Sequence, residues 1–300
     1  MIITPAVIKA LFTGFNKNFQ DGLKQADSQY QQLATVTNST SASTTYGWLG
    51  QVPNLREWVG DRSVRDMQAH GYAIVNKHFE STVGVNRDDI EDDNIGVYGP
   101  LMQEMGLAAG RHPDLQVFDL LKQGEVQVCY DGQPFFDTEH PVYANTDGTG
   151  APTLTSNLFA GAAAPWYLLD TSRAIKPLIY QQRKAMTFTN MNTENDEAVF
   201  MKNQYRFGVD GRNNVGFGFW QMASKSAEAL TPENFSKVYS AMVGQKGDGG
   251  IPLGIKPTIL LVPPSLEDAA KKIVEMQLIN GGESNVHFGK AKVMVSPWLL

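Results

Sequence analysis

Between Thr35 and Thr45 the chain reads TVTNSTSASTT, and this run limits what the chain can fold into more than any other feature. It is polar, β-branched and low in complexity, so it has no apolar surface of its own to bury. Two readings are open: a flexible linker, or an extended arm that becomes ordered on a neighbouring subunit. Before it lies a helix signal, with Val7, Ala10, Leu11, Phe12, Phe15 and Phe19 at helical spacing from Ala6 onward. After it, aromatic density rises at Tyr46, Trp48, Leu49, Leu55, Trp58 and Val59. A long strand signal follows from Tyr72 to Val85, both faces mixed or polar beyond Val75, which suits a hairpin projecting from the body better than a core strand. The expectation that follows is that deleting Arg62 to Val85 leaves the body folded.

The rest of the chain can build a core. It has 300 residues, 42% hydrophobic and 19% charged, which excludes wholesale disorder. Lys and Arg number 25 against 31 Asp and Glu, a formal charge of −6, so the chain is a poor candidate for wrapping nucleic acid. Met1 to Pro5 lacks a cationic stretch leading into an apolar run, and no apolar stretch approaches the roughly 20 residues that span a bilayer. A soluble protein made in a cytoplasm is expected.

Arg87 to Asp93 reads as an acidic helix start, since it lacks the glycine and glutamate spacing of a calcium loop. A longer helix is predicted from Pro100, with Leu101, Met102, Met105, Ala108 and Ala109 on its apolar face. His112-Pro113-Asp114 should kink or interrupt it before Leu115 to Leu121 continue the pattern. Strands are predicted at 166–170, 175–180 and 199–207, with a turn at Asp210-Gly211 and a returning strand over 215–222. Gly216 and Gly218, alternating with Phe217 and Phe219, mark a crowded face with close backbone approach. Thr231-Pro232-Glu233 begins a helix bearing Phe235, Val238, Tyr239 and Met242 on one face. A strand at 258–262, a helix after Pro263-Pro264 and a strand at 293–295 complete a small α/β layer.

Cys129 is the single cysteine, which excludes a disulfide framework and any Cys-rich zinc or iron–sulfur site. With His140, Asp137 and Glu139 nearby it invites a nucleophile reading, but closeness in sequence supplies no geometry, and an unreactive cysteine is the commoner case. His140 with Asp137 and Glu139 could also start a metal site. The remaining histidines, His70, His78, His112 and His287, are scattered, and a loop or interface role for His140 is the safer reading. Gly244 to Gly250 (GQKGDGG) lacks the spacing of a phosphate loop. No catalytic, cofactor-binding or metal residue is therefore assigned. The rival to a structural protein with docking extensions is a soluble hydrolase built on Cys129 and His140.

Several long strings carry a resemblance. They are YGWLGQVPNLREWVGDR (46–62), AHGYAIVNKHFESTVGVNRDDIEDD (69–93), YGPLMQEMG (98–106), CYDGQPFFDTEHPV (129–142), WYLLDTSRAIKPLIYQQRK (166–184), GVDGRNNVGFGFWQ (208–221) and GDGGIPLGIKPTILLVPPSLEDAAKKI (247–273). In this order they resemble the major head subunit of Mu-like tailed bacteriophages; the first 45 residues match only loosely. The resemblance implies an α+β fold of the tailed-phage capsid type, named after phage Hong Kong ninety-seven. In that scheme residues 1–45 hold an N-terminal helix and arm, and 46–95 a strand region with the extended β-hairpin loop. Residues 96–228 form a peripheral domain, with a spine helix at 100–121 and long strands over 166–222, and 229–300 an axial α/β domain; 129–164 are left between the two. The implied function is a non-enzymatic major capsid protein whose pentamers and hexamers close into an icosahedral shell. The alternative structural reading is a phage tail or decoration protein. Scaffolding protein and portal protein are implied partners, with a possible decoration protein. Double-stranded DNA is enclosed without specific binding, no membrane is involved, and the virion capsid is assembled in the bacterial host cytoplasm.

Overall fold

The computed structural model describes residues 3–47, 49, 71–193, 196–279 and 281–300. Helix α1 (Pro5–Gln25) starts where Thr4 caps it, the side chain accepting from Val7 N, with Pro5 at the first position. A short α2 (Tyr30–Leu33) leads into β1 (Ala34–Asn38), and β2 (Ser43–Thr45) follows at once. The polar run is thus ordered within the chain itself. β1 lies parallel to β9 (Leu178–Met191), and β2 pairs antiparallel with β3 (Ala73–Val75).

The Tyr72 to Val85 segment does not project. β4 (Lys77–Asn86) runs antiparallel to β10 (Gln204–Phe217) from Lys77 opposite Asn213 to Asn86 opposite Gln204, as the edge of a sheet ordered β1-β9-β10-β4. Its polar faces are those of an edge strand, and Val85 at its end is fully buried with Ile90, Phe207 and Met102. Deleting Arg62 to Val85 would remove a sheet strand, so that expectation is corrected. Trp48, Leu55, Trp58, Val59 and Arg62 to His70 lie outside the described residues.

After α3 (Arg87–Glu91), α4 (Tyr98–Lys122) runs through Pro113 as one element. A buried proline inside a helix costs a backbone hydrogen bond, about 3 kcal/mol. Packing on both sides of it offsets that: Met102, Met105 and Ala109 are buried before it, and Val117, Phe118 and Leu121 after it. Asp114 anchors the same point, its Oδ1 accepting from Gln29 N and Tyr30 N at 2.9 and 2.7 Å to cap α2.

The strand expected at 199–207 begins instead as α5 (Glu197–Lys202), which ends at Asn203 in the left-handed conformation (φ 55°) before β10 starts. A short apolar run suits either state, and here the connection between two long strands decides it. Asp210-Gly211 lies inside β10, at a register shift rather than a turn. A Cβ on Gly211 would stand 2.6 Å from Met186 Sδ. Gly216 and Gly218 do mark close approach: a Cβ there would meet Ile74 Cδ1 at 2.3 Å and Lys176 O at 2.4 Å.

The ribbon β5 (His140–Tyr143) with β6 (Pro152–Thr155) follows α4. β7 (Leu158–Phe159), β8 (Trp166–Leu169), β11 (Ala223–Ser226), β12 (Ile259–Val262) and β15 (Lys292–Val295) then form a second sheet, ordered β15-β12-β8-β11-β7. This sheet joins strands from both sides of residue 229. Helices α6 (Pro232–Val243) and α7 (Glu267–Val274) cover one face of it through Phe235, Val238, Ala270 and Ile273. Its other face shares a core with α4 and the long sheet, through Tyr167, Leu169, Leu261, Phe118 and Leu178. A last ribbon pairs β13 (Leu278–Ile279) with β14 (Glu283–Ser284).

Candidate functional site

Three places in the molecule have features that folding alone does not require. The first is the base of the segment between β2 and β3. A side-chain amide at position 181, fully buried in β9, is its hub. Gln181 Oε1 accepts from the Tyr46 hydroxyl at 2.8 Å, and Gln181 Nε2 donates to Ile74 O at 3.1 Å and Asn76 Oδ1 at 2.9 Å. Asn76 Nδ2 donates onward to Ser39 Oγ (3.0 Å) and Ser41 O (2.9 Å), and Ser39 Oγ meets Thr44 Oγ1 at 2.9 Å. Thr37 Oγ1 meets the Tyr46 hydroxyl at 2.7 Å. Burial raises the Tyr46 phenol's pKa despite the hydrogen bond from Thr37. Part of the polar run is thereby explained: Thr37, Ser39 and Thr44 each find a hydrogen-bond partner in this clasp, the condition for burying such groups at all. Gln181 and Asn76 carry no sequence signal of this role.

The second place is where the sequence put its candidate nucleophile. Cys129 and Asp131 share a tight turn in which Cys129 N donates to Gln133 O (2.7 Å), Gln133 N donates to Asp131 Oδ1 (3.1 Å) and Gly132 takes φ 86°. The structure brings His140 to this turn: its Nδ1 lies 2.8 Å from Asp131 Oδ2, and the Cys129 thiol donates to Asp131 Oδ1 at 3.0 Å. Asp137 and Glu139, the acids singled out by nearness to His140, are not part of the cluster. Asp137 instead turns back on its own loop, accepting from Thr138 N and Glu139 N. Asp131 was the acid to choose, two residues beyond Cys129. The His140 ring lies flat on the Trp220 indole, centroids 4.0 Å apart at 6°.

This arrangement does not make a nucleophile. Burial pushes the Cys129 thiol far up, and the neighbouring Asp131 carboxylate pushes it further, so the sulfur stays protonated. The thiol proton is directed at a carboxylate, not at the imidazole that would have to take it. Burial acts to raise the Asp131 carboxyl, but the hydrogen bonds from His140 and Cys129 outweigh it and hold the group below its usual range. A folded-state pKa lowered in this way contributes stability above the ordinary carboxylate range that is lost as pH falls through the lowered value. Acid titration of the Trp220 fluorescence is therefore expected to report loosening of this loop only below about pH 4, the ordinary aspartate range.

The third place is the surface. Phe200 and Met201 on α5 are 82% and 69% exposed, and Met191 at the end of β9 is half-exposed. Around the β13–β14 ribbon, Met276, Leu278, Val286 and Phe288 are also exposed. Apolar groups gathered at such ends are characteristic of contact surfaces. No helix among the described residues is long and apolar enough to cross a membrane.

The chain as a whole has its parallels among virus shells. The chain superposes on a chain of the procapsid of bacteriophage JBD30 with a TM-score of 0.86 and 60% identity, covering 99% of this chain and 100% of that one. On the JBD30 capsid decorated with minor capsid protein trimers the TM-score is 0.77, at 44% identity and 100% coverage of both chains. These define the class: a capsid protein of the tailed-phage α+β fold, structural and not enzymatic. The family model for the Mu-like prophage major head subunit gpT matches residues 8–299. The major capsid protein of Escherichia phage Mu is 50% identical over 307 residues, covering 100% of both chains. The chain belongs to the family of Mu-like major head subunits.

Proposed function

We propose that copies of this chain form pentamers and hexamers that close into an icosahedral shell around double-stranded DNA, in the cytoplasm of the bacterial host. The observation that carries the reading is the match over 99% of this chain to a chain of the JBD30 procapsid, and exposed apolar side chains such as Phe200, Met201, Val286 and Phe288 offer contact surface for such an assembly. Scaffolding and portal proteins are the partners that an assembly of this kind needs, and trimers of a minor capsid protein, as on the JBD30 capsid, are a further partner class. A formal charge of −6 suits a wall that encloses phosphate without holding it. The division into arm (1–45), strand and hairpin-loop region (46–95), peripheral part (96–228) and axial part (229–300) is retained with two changes, of which the first is that β4, paired with β10, goes with the long sheet of the peripheral part. The hydrogen bonding of β7, β8 and β11 to β12 and its neighbours supports assigning those three strands to the axial part.

The test is electron microscopy of the purified chain with and without a co-expressed scaffold. Closed shells are expected; monomers alone at high concentration would sink the proposal. A companion deletion is confined to residues 50–70, leaving β3, β4 and the clasp intact. That chain is expected to keep the circular dichroism of the parent and to form no closed shells. Normal shells from it would show that residues 50–70 are dispensable for assembly.

A further inference from the structure

We propose that Cys129, Asp131 and His140 form a structural site for one divalent cation of the zinc class. One ligand atom from each of the three side chains lies within 4.8 Å of the others. The two oxygens of Asp131 face different partners, Oδ1 the sulfur and Oδ2 the imidazole Nδ1, at 3.0 and 2.8 Å. A cation seated between them would draw on Sγ, Nδ1 and the carboxylate oxygens; for zinc–ligand lengths of about 2.0–2.3 Å the sulfur–oxygen and nitrogen–oxygen pairs must open by about half an ångström, with Sγ and Nδ1 brought to about 3.5 Å of one another.

The donor set selects the metal. Thiolate and imidazole favour zinc, whereas calcium and magnesium take oxygen ligands almost alone. The ligands are also held in place before any metal arrives. Cys129 and Asp131 are locked in one turn by the Cys129 N–Gln133 O and Gln133 N–Asp131 Oδ1 bonds, and His140 is clamped against Trp220 at the start of β5.

Charge supplies the driving force. The Asp131 side chain is 9% exposed, and among the described residues its only ion-pair partner is His140, which is itself fully buried. A dication gives the buried carboxylate a full counter-charge. On binding, the Cys129 thiol loses its proton to solvent, and the imidazole proton moves from Nδ1 to Nε2 so that Nδ1 offers its lone pair. The net change is one cation bound and one proton released. The high thiol pKa described above belongs to the metal-free form; a metal-bound thiol is deprotonated outright. The site would tie the turn at 129–133 to β5 and to Trp220.

The inference does not rest on the assembly reading, because it can be read on the unassembled chain. The full chain, produced with zinc in the medium and dialysed against zinc-free buffer, is analysed by mass spectrometry for metals. About one zinc per chain is expected, and roughly tenfold less in Cys129→Ser. Native chain stripped with a chelator and reloaded with cobalt(II) should show a near-ultraviolet thiolate-to-cobalt absorption, at a stoichiometry of about one. This second measurement uses the native sequence, so a folding defect in the variant cannot mimic the result. Equal zinc in Cys129→Ser and native chain means an adventitious ion only and overturns the proposal. So does a stripped, folded chain that takes up cobalt without the thiolate absorption, or takes up none.

Discussion

Replacing Gly106 by alanine is expected to cost about 3 kcal/mol of stability, at the upper end of what overpacking a core position does. Gly106 lies in the middle of α4, where α4 crosses α1. A Cβ there would stand 2.0 Å from Phe19 O and 2.9 Å from Leu23 N. Both are backbone atoms of α1, so no side chain can rotate out of the way; the helices themselves must part. The contact is reciprocal, because a Cβ on Gly22 of α1 would stand 1.9 Å from Gln103 O of α4. Parting the helices also loosens Phe19, Met102 and Met105, which are buried at the crossing. Gly14 is the control. It too lies in α1, but a Cβ on it has nothing within 4 Å, so Gly14→Ala should be neutral or stabilise by up to about 1 kcal/mol from helix propensity alone. Denaturant unfolding of the unassembled chain followed by circular dichroism measures both. A Gly106→Ala midpoint indistinguishable from that of Gly14→Ala would mean that the helices are not in backbone contact.

Gln181→Leu is expected to release the base of the 46–72 segment while the two sheets stay folded. Leucine has a similar volume, so the cost is polar rather than steric. Tyr46 loses its buried acceptor, Asn76 Oδ1 loses its donor and Ile74 O loses one of its own. Each buried group left unpaired costs about 1–3 kcal/mol, and the Tyr46 hydroxyl keeps Thr37 as a partner, so a total near 3 kcal/mol is expected. Thr37→Val removes one hydrogen bond of the same network and should cost about 1 kcal/mol. Limited proteolysis separates local from global effects. Cleavage between residues 46 and 72 should quicken at least about tenfold in Gln181→Leu, as 1.4 kcal/mol or more in the opening equilibrium requires, with cleavage elsewhere unchanged. Uniformly faster cleavage would mean that Gln181 serves the whole body and not this segment. Particles made from Gln181→Leu are expected to be fewer and irregular by electron microscopy, because the strands β2 and β3 on either side of the 46–72 segment lose their buried tie to β9.

The Mu-like family was legible because long strings match along most of the chain, and the fold class followed from it. Local signals were read well where the physics is local. Thr231 caps α6 by accepting from Asn234 N at 3.2 Å, with Pro232 at the first position, as its three-residue signature requires. The crowding at Gly216 and Gly218 was legible from glycine alternating with phenylalanine. Pro113 misled because a proline's local penalty is visible in sequence, whereas the packing of Met105, Val117 and Phe118 that offsets it is not. The polar strand at 77–86 misled for a related reason. Exposure on both faces is shared by a projecting hairpin and an edge strand, and only the pairing with β10 tells them apart.

By itself the sequence determined the helix starts, several strands, the want of a known catalytic motif and the chain's family. Those properties reside in a few adjacent residues or in matching strings. The tertiary structure alone decided which polar groups meet. Gln181 reaches Tyr46 across 135 positions of sequence and Asn76 across 105, and neither pairing leaves a mark in local composition. Cys129 and His140 were visible as a pair, but the acid that joins them is Asp131, because a tight turn and a ring stacked on Trp220 aim those side chains inward and leave Asp137 and Glu139 outside. The polar run, open in sequence to reading as a linker or as an arm ordered on a neighbour, is the same lesson at larger scale. Its hydroxyls cannot form a core, but they can complete one when a buried amide arrives from the far side of the chain to bond them.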